Sequence, residues 1–470
     1  MAQSTSVKNK KSQQTDYDLI VIGTGSGGGV GANLAASMGK RVAIFEKDAI
    51  GGECPNFGCV PTKALLHAAE HYQIAKYSGP YGVVTGHVSF NYRNVREWKD
   101  LVVSRTGTAQ GGAAFKDAGI EVHHGEAKFI SNNTIQVGNK TYTAKNFLIA
   151  TGSTVAIPPI PGLDKSGYHT YRDAIDYKKP PKSVFIIGGG PIGCEFAQIF
   201  SSFKSKVYIA DGLPRLLGRE DADAGELLGA IFKDRGIELY LNCAVESVRS
   251  TWRHKIIDLK TQSGHKRVFA SHILVATGKR AAVLNLDLEK AGIEYDKGGI
   301  KVNSEMQTSN KNIYAAGDVV GPYLFTHTGE YQSHIAAHNM FNKDKILADY
   351  RAVPRCTFTD PEIASVGLNA ETAKAEKIKI RVGTVPINII GRANTSDVNN
   401  GFVKIITDEH GIVLGGAIVS PRAGEMIHEI TLAVRLRLHV RELEETIHAY
   451  PTYSEAVKFA AANAMRAPLK

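Results

Sequence analysis

The stretch Asp18-Leu19-Ile20-Val21-Ile22-Gly23-Thr24-Gly25-Ser26-Gly27-Gly28 decides the fold. A short buried-strand run leads into a G-x-G-x-x-G turn, and a helical stretch follows from Gly29 to Met38. Arg41 to Phe45 then reads as a second strand ending in Glu46. Strand, turn, helix, strand and acid in this order make a Rossmann-like βαβ unit. Its glycines let backbone N–H groups approach a pyrophosphate at the helix N-terminus, and the acid can bind ribose hydroxyls. Gly23, Gly25, Gly28 and Glu46 are therefore candidate dinucleotide ligands.

The pattern recurs. Ser183 to Ile187 leads into Gly188-Gly189-Gly190-Pro191-Ile192-Gly193, a helix through Phe203, and a strand from Lys206 to Ala210 ending in Asp211. Gly23 to Glu46 and Gly188 to Asp211 span the same 23 positions. Two such folds imply two dinucleotides, with Gly188, Gly190, Gly193 and Asp211 serving the second. Asp211 favours NAD, because a carboxylate repels a 2′-phosphate. Arg215 lies close by and keeps NADP as the alternative.

Two strand-plus-turn signals, Phe147 to Gly152 and Ile273 to Gly278, read as exits from one domain into the next. Asn312 to Val319 is a strand ending in Gly317-Asp318, suited to holding a ribityl chain. From about Ala352 the pattern changes. Strands are expected at Phe402 to Ile405 and Ile412 to Ile418, and helices at Gly424 to Leu436 and Ser454 to Ala464, which suggests a separate α+β domain.

Chemistry is concentrated in Gly51-Gly52-Glu53-Cys54-Pro55-Asn56-Phe57-Gly58-Cys59-Val60-Pro61-Thr62-Lys63, just ahead of an expected helix. On a regular helix, residues five apart have Cα atoms roughly 8–9 Å apart, whereas a disulfide needs about 4.4–6.8 Å. The backbone between Cys54 and Cys59 must therefore be distorted, which Pro55 and Gly58 permit. A strained bridge is easier to reduce, and a helix N-terminus lowers a thiolate's pKa. The segment describes a redox-active pair. Three other readings stand beside it: a structural disulfide, a zinc site, for which no second cysteine pair with metal spacing exists, and two unrelated buried cysteines.

The 470 residues suggest roughly three domains. Hydrophobic content of 43% and charged content of 22% are ordinary for a globular protein. No apolar run reaches the ~18–20 residues of a membrane span, so no membrane partner is expected. Residues 1–16 are polar and read as a disordered tail rather than a signal peptide. Five cysteines without an export signal point to a reducing cytoplasm. The net charge is +10, but Lys and Arg are scattered, which fits a solvated surface better than nucleic-acid binding. The basic field also suits attraction of anionic cofactors.

Taken together, the chain resembles the flavoprotein pyridine nucleotide-disulfide oxidoreductases, the group of dihydrolipoamide dehydrogenase, glutathione reductase and mercuric reductase. The resemblance runs from about Tyr17 to Ala464. It rests on the GGECPNFGCVPTK segment, the paired glycine turns, Ile313-Tyr314-Ala315-Ala316-Gly317-Asp318-Val319, Phe358 to Ala364, and His448-Ala449-Tyr450-Pro451-Thr452-Tyr453-Ser454-Glu455. It implies a homodimer with two Rossmann-like domains and a C-terminal α+β dimerisation domain. The expected division is an FAD-binding domain over 17–155, an NAD-binding domain over 156–278, a second FAD or central part over 279–350, and the dimerisation domain over 351–470. It also implies roles. Cys59 would face the flavin as the charge-transfer thiolate, Cys54 would be the interchange thiol, and Lys63 would lie near flavin N5, paired with Glu195. Asp318 and His327 match flavin-site positions, and Gly52, Thr151, Gly152, Gly317 and Gly278 join the cofactor-binding set.

One departure bears on the substrate. Disulfide-reducing members place a histidine immediately before the proline of the last motif, oriented by a glutamate like Glu455. Here Tyr450 stands there, and His448 lies two residues earlier. A phenol with a pKa near ~10 is a poor base at neutral pH, whereas imidazole is well matched. Three readings stay open: His448 takes over, Tyr450 acts as proton donor or substrate ligand, or the substrate needs little proton transfer. Mercuric reductases also carry a tyrosine in this neighbourhood, but add a C-terminal cysteine pair absent from Asn463 to Lys470. The expected activity is FAD-dependent NAD(P)H:disulfide oxidoreduction of the dihydrolipoamide dehydrogenase kind. A mercuric reductase-like metal-ion, quinone or oxidant reductase is the alternative, and a non-catalytic, nucleotide-responsive flavoprotein is the alternative of another class. The substrate is expected to be a small thiol, disulfide or soft electrophile, and no resident metal is read from the sequence.

Overall fold

The computed structural model describes residues 15–106 and 111–470, which divide into two compact units, each drawn from three stretches of the chain. The first comprises 15–52, 111–154 and 280–348. Its parallel strands run Glu121–His124, Val42–Glu46, Tyr17–Ile22 and Lys140–Ile149, with Ile313–Ala315 paired beyond the last. Leu19, Ile20 and Val21 are fully buried, as expected of a parallel strand covered on both faces, and Val21 lies opposite Ile44 and Leu148. Helix Ser26–Ser37 begins three residues earlier than the sequence pattern suggests. The N–H groups of Gly28 and Gly29 already bond back to the Gly25 carbonyl, at 2.9 and 2.8 Å, so the glycine turn is itself the first helical turn. Of the expected tail, residues 1–14 lie outside the described residues, while Asp16 is already hydrogen-bonded to Thr143.

The second unit comprises 53–106, 155–279 and 349–470. The second nucleotide fold is a four-stranded parallel sheet in the order Glu238–Tyr240, Lys206–Ala210, Ser183–Ile187, His272–Val275. Helix Cys59–Lys76 buries Leu65, Leu66, Ala69 and Tyr72, an i, i+1, i+4, i+7 stripe. That stripe packs in one cluster with Phe196, Phe200 and Phe203, which brings the helix behind the cysteine segment against helix Pro191–Ser202. Towards the C-terminus an antiparallel sheet has the order Arg355–Thr357, Glu362–Gly367, Val413–Ser420, Phe402–Thr407, Arg381–Pro386. Its apolar residues share a core with helices Ala423–Leu436 and Glu455–Arg466. Gly383 permits the close approach of the last helix, since a Cβ there would come 2.2 Å from the Ala460 carbonyl oxygen. The fold is thus α/β, with two Rossmann-like halves and a C-terminal α+β region. Among the described residues, no helix is long and apolar enough to cross a membrane.

Candidate active site

Helix Glu53–Asn56 carries Cys54 and stops, and helix Cys59–Lys76 starts on Cys59. The break between them is the distortion that the spacing requires. Gly58 has φ −107° and ψ −111°, outside the helical region. The N–H groups of Phe57 and Gly58 both turn back to the Glu53 carbonyl at 2.8 Å. A Cβ on Gly58 would lie 3.2 Å from that oxygen and 3.4 Å from Cys54 Cα. Cys54 is half-buried and Cys59 exposed. Because Gly58 at the N-cap has no side chain, the positive end of the helix is left to Cys59.

A clamp on this segment escapes sequence reading. Arg172 Nε lies 3.1 Å from each Glu53 carboxylate oxygen, and its guanidinium sits 4.1 Å from the Phe57 ring centroid. Burial first, and the charge of hydrogen-bonded Glu53 next, push the phenol of Tyr171 well above its ordinary range. Nothing local in the sequence connects the helix Tyr171–Ala174 with a segment 119 positions away.

Lys63 lies one helical turn beyond Cys59, and its Nζ meets both oxygens of Glu195 at 2.9 and 2.8 Å. The Glu195 side chain is only 6% exposed. Burial pulls the Lys63 pKa down, but the charge and hydrogen bond of Glu195 outweigh it, and the net shift is upward. Lys63 is thereby held as a cation. Phe358 completes the arrangement, its N–H donating to Glu195 Oε1 at 3.0 Å and its ring lying 4.5 Å from Lys63 Nζ. Burial raises the thiol pKa values of Cys194, Cys243 and Cys356, and neutral buried thiols are poor nucleophiles.

In the last motif, the His448 side chain is 7% exposed, with Nε2 2.9 Å from Glu429 Oε1 and Nδ1 2.9 Å from the Thr446 carbonyl oxygen. A carbonyl can only accept, so Nδ1 carries a hydrogen and the Glu429 contact shares a further proton. Glu429, not Glu455, therefore holds this imidazole. Glu455 begins helix Glu455–Arg466, and its buried Oε2 has no hydrogen-bond partner among the described residues. Tyr450 is 77% exposed. Burial raises the Glu429 pKa above 4.5 despite the opposing influence of His448. A carboxyl group with a raised folded-state pKa contributes stability below the unfolded value that is lost as pH rises through the folded value. The Tm of wild type relative to Glu429→Gln is accordingly expected to fall as pH is raised from below 4.5 to neutrality. A pH-independent difference in thermal unfolding would refute this.

Both nucleotide turns have open cradles. Gly23 and Gly188 have φ +104° and +112°, and Cβ atoms there would come 2.3 and 2.4 Å from the carbonyl oxygens of Ala150 and Ala276. Gly28 and Gly193 are equally tight, at 1.9 and 2.0 Å from the carbonyl oxygens of Gly23 and Gly188. The middle glycines differ. A Cβ on Gly25 would meet only Gly52 Cα, at 3.9 Å, and one on Gly190 nothing within 4 Å. These are the positions where a phosphate would approach the backbone. The remaining expected residues of the first unit have these settings. Gly52 has φ +71° and packs on Gly25, Thr151 donates to the Ala282 carbonyl at 2.8 Å, and Gly152 has φ +72°. Gly317 N–H donates to Gln332 at 2.8 Å, Asp318 accepts from Ser153 at 2.5 Å, and His327 stacks on Phe325. In the second unit, Gly278 has φ +103° with open space beside it.

The two acids differ in use. Glu46 already accepts from Thr24 N, Thr24 Oγ1, Lys47 N and Asp48 N, at 2.6–2.9 Å, which matches all four acceptor sites of a carboxylate. Asp211 accepts only from Gly189 N and Leu213 N, at 2.6 and 2.8 Å, among its described hydrogen bonds. Gly190→Ala is expected to raise KM for NAD(P)H at least about tenfold, about 1.4 kcal/mol, without lowering Tm. Gly193→Ala is expected instead to destabilise by roughly 1–3 kcal/mol through overpacking. Thermal unfolding and NAD(P)H kinetics on both variants check the distinction, and equal Tm losses would remove it.

Two cysteines five positions apart at the head of a helix that carries a paired lysine, on a chain with two dinucleotide folds, define the class: a nucleotide-linked thiol–disulfide oxidoreductase. Residues 17–340 match the family described as pyridine nucleotide-disulphide oxidoreductase, and residues 353–461 match its dimerisation domain. The chain belongs to the pyridine nucleotide-disulphide oxidoreductase family, whose enzymes use FAD and NAD(P)H. The dimerisation domain supports homodimer formation. The chain is 34% identical over 466 residues to a dihydrolipoyl dehydrogenase of Staphylococcus aureus, covering 97% of this chain and 98% of the relative. It is also 34% identical over 448 residues to a mercuric reductase of Staphylococcus aureus, covering 95% and 82%. Among solved structures, the HOCl-induced flavoprotein disulfide reductase RclA of Escherichia coli, in its Cu(II) complex, is 29% identical. It superimposes with a TM-score of 0.85 over 96% of this chain and 99% of that one.

Proposed function

We propose that this protein is an FAD-dependent reductase working through Cys54 and Cys59, with NADH preferred, that serves a soft thiol-reactive acceptor, a metal ion or oxidant, ahead of lipoamide. The observation that carries the choice of acceptor is the state of the last motif. The side chain of its imidazole residue, His448, is 7% exposed and engaged at both ring nitrogens, while the residue before the proline is the exposed Tyr450. Exchange with a disulfide substrate releases a thiolate that needs a proton, and a phenol is poorly matched to supply and retrieve it at neutral pH. Soft metal ions and oxidants make less of that demand.

Cys54 serves as the interchange thiol, and Cys59, at the positive end of its helix, is the sulfur more readily held as thiolate. Lys63 holds a fixed positive charge beside the pair, kept in place by Glu195 and Phe358. Bound FAD, with Gly25 and Gly52 at its pyrophosphate and Asp318 at its ribityl chain, would supply two-electron chemistry between the nicotinamide and the sulfurs. The preference for NADH is supported by Asp211, and by Arg215, whose Nη2 is committed to Glu371 at 2.6 Å. The relatives span this choice of acceptor, from dihydrolipoyl dehydrogenase to mercuric reductase and to a reductase described in complex with Cu(II).

The test is a side-by-side rate comparison with Hg(II), Cu(II), a quinone, dihydrolipoamide and glutathione disulfide, using NADH and NADPH. Metal-ion or oxidant turnover with NADH at least about tenfold faster than lipoamide turnover, about 1.4 kcal/mol in the barrier, is expected. The reverse order would establish dihydrolipoyl dehydrogenase activity instead. Absence of any NADH-dependent change in the number of alkylatable thiols would favour the non-catalytic reading.

A further inference from the structure

We infer that His67, Glu70 and His71, on the exposed face of helix Cys59–Lys76, form a binding site for one divalent transition-metal ion, copper(II) ahead of zinc(II). The spacing i, i+3, i+4 stacks the three side chains on one face of the helix, the geometry by which paired histidines chelate a metal. One ligand atom from each residue lies within 4.8 Å of the others. The imidazole rings of His67 and His71 are 4.2 Å apart between centroids. His67 Nδ1 and Glu70 Oε2 are 3.6 Å apart, beyond a hydrogen bond, so the carboxylate is near the imidazole without being consumed by it.

The second ring is already oriented. His71 Nδ1 lies 2.9 Å from the His67 carbonyl oxygen. A carbonyl only accepts, so Nδ1 carries the hydrogen and the Nε2 lone pair is available to a metal. This backbone contact is the kind of outer partner that metal-binding histidines have. All three side chains are exposed, so they can close on an ion without moving the backbone, and water can complete its coordination. An exposed histidine–glutamate pair adds little to stability. Two imidazoles and one carboxylate favour copper(II) over zinc(II) by the general order of divalent affinities. The run carries no cysteine-based metal spacing, because its ligands are histidines and a glutamate on one helix.

A reporter is built in. The Trp98 ring lies 6.4 Å from that of His67, within quenching range of a bound paramagnetic copper(II). The holoenzyme is titrated with copper(II) while tryptophan fluorescence is followed, and the titration is repeated with zinc(II) in competition. Saturable quenching at one equivalent is expected, absent in Trp98→Phe and reversed by zinc(II) only at higher concentration. His67→Gln and His71→Gln should each weaken it at least about tenfold, since loss of an outer-sphere partner alone costs that much. Because both side chains are exposed, both variants are expected to keep the wild-type Tm. Cys54→Ser/Cys59→Ser protein should bind copper(II) with unchanged affinity. Equal affinity in both histidine variants, or loss of binding in the cysteine variant, would place the ion on other groups and overturn the site.

Discussion

Cys59→Ser is expected to lower NADH-dependent turnover of a disulfide or soft-metal acceptor on the order of 10³-fold or more. A hydroxyl in that position cannot be oxidised or reduced by its neighbour, and Cys54 alone has no partner for a two-electron exchange. The effect should not be graded by stability. Cys59 is exposed at the first position of its helix, so serine fits without repacking and the Tm should stay near that of wild type. Anaerobic thiol counting gives an independent readout. In the oxidised wild type, NADH should expose two additional alkylatable thiols, and in Cys59→Ser none. Cys194→Ser and Cys243→Ser are the controls, because burial keeps both thiols protonated, and their turnover should remain near wild type. If Cys59→Ser reduces its acceptor at the wild-type rate, electrons reach the acceptor without the sulfurs, and the assigned chemistry falls.

What could be read in the chain depended on the range of the contacts. The glycine turns were legible because Gly23, Gly25 and Gly28 act on one another over six residues, and the break at Gly58 because five positions cannot be bridged on a regular helix. The partner of Lys63 was reached through family resemblance, since on local evidence Glu195 is one helix acid among many. The contacts of Arg172 and Glu429, and that of Phe358 with the Lys63–Glu195 pair, were not legible. Each of these residues arrives from a distant stretch to hold a group whose local motif is complete without it. Glu429 is the plainest case. The resemblance pointed to Glu455 as the orienting acid, but moving the histidine from the position before the proline to His448 put it beside another helix and another carboxylate. Glu46 shows a use that the motif does not announce, since the acid expected to face a ribose also holds the turn through Thr24, Lys47 and Asp48.

Removing Lys63 should cost about 3 kcal/mol or more, a Tm loss of several degrees, because it leaves the buried Glu195 carboxylate uncompensated, and removing Glu195 should cost less, because the Lys63 side chain is 31% exposed. Glu195→Gln leaves the Lys63 cation facing a neutral amide. Lys63→Met leaves the carboxylate with only the Phe358 N–H among its described partners. Replacing both with apolar residues should cost less than the two single losses combined, since neither charge remains to be buried. Alkaline pH separates this from simple repacking. The folded-state pKa of Lys63 lies above its ordinary 10.5, so the stability it contributes is fully present below 10.5 and is lost as pH rises through the higher folded value. In Glu195→Gln, burial acts without the counter-charge, the Lys63 pKa drops, and the cost of the partly buried cation is relieved as pH rises. The gap in Tm between wild type and Glu195→Gln should therefore be widest near neutrality and narrow above pH 10.5. A gap that is flat across that range would mean the variant is destabilised by altered packing, and that the charge pair does not hold this site together.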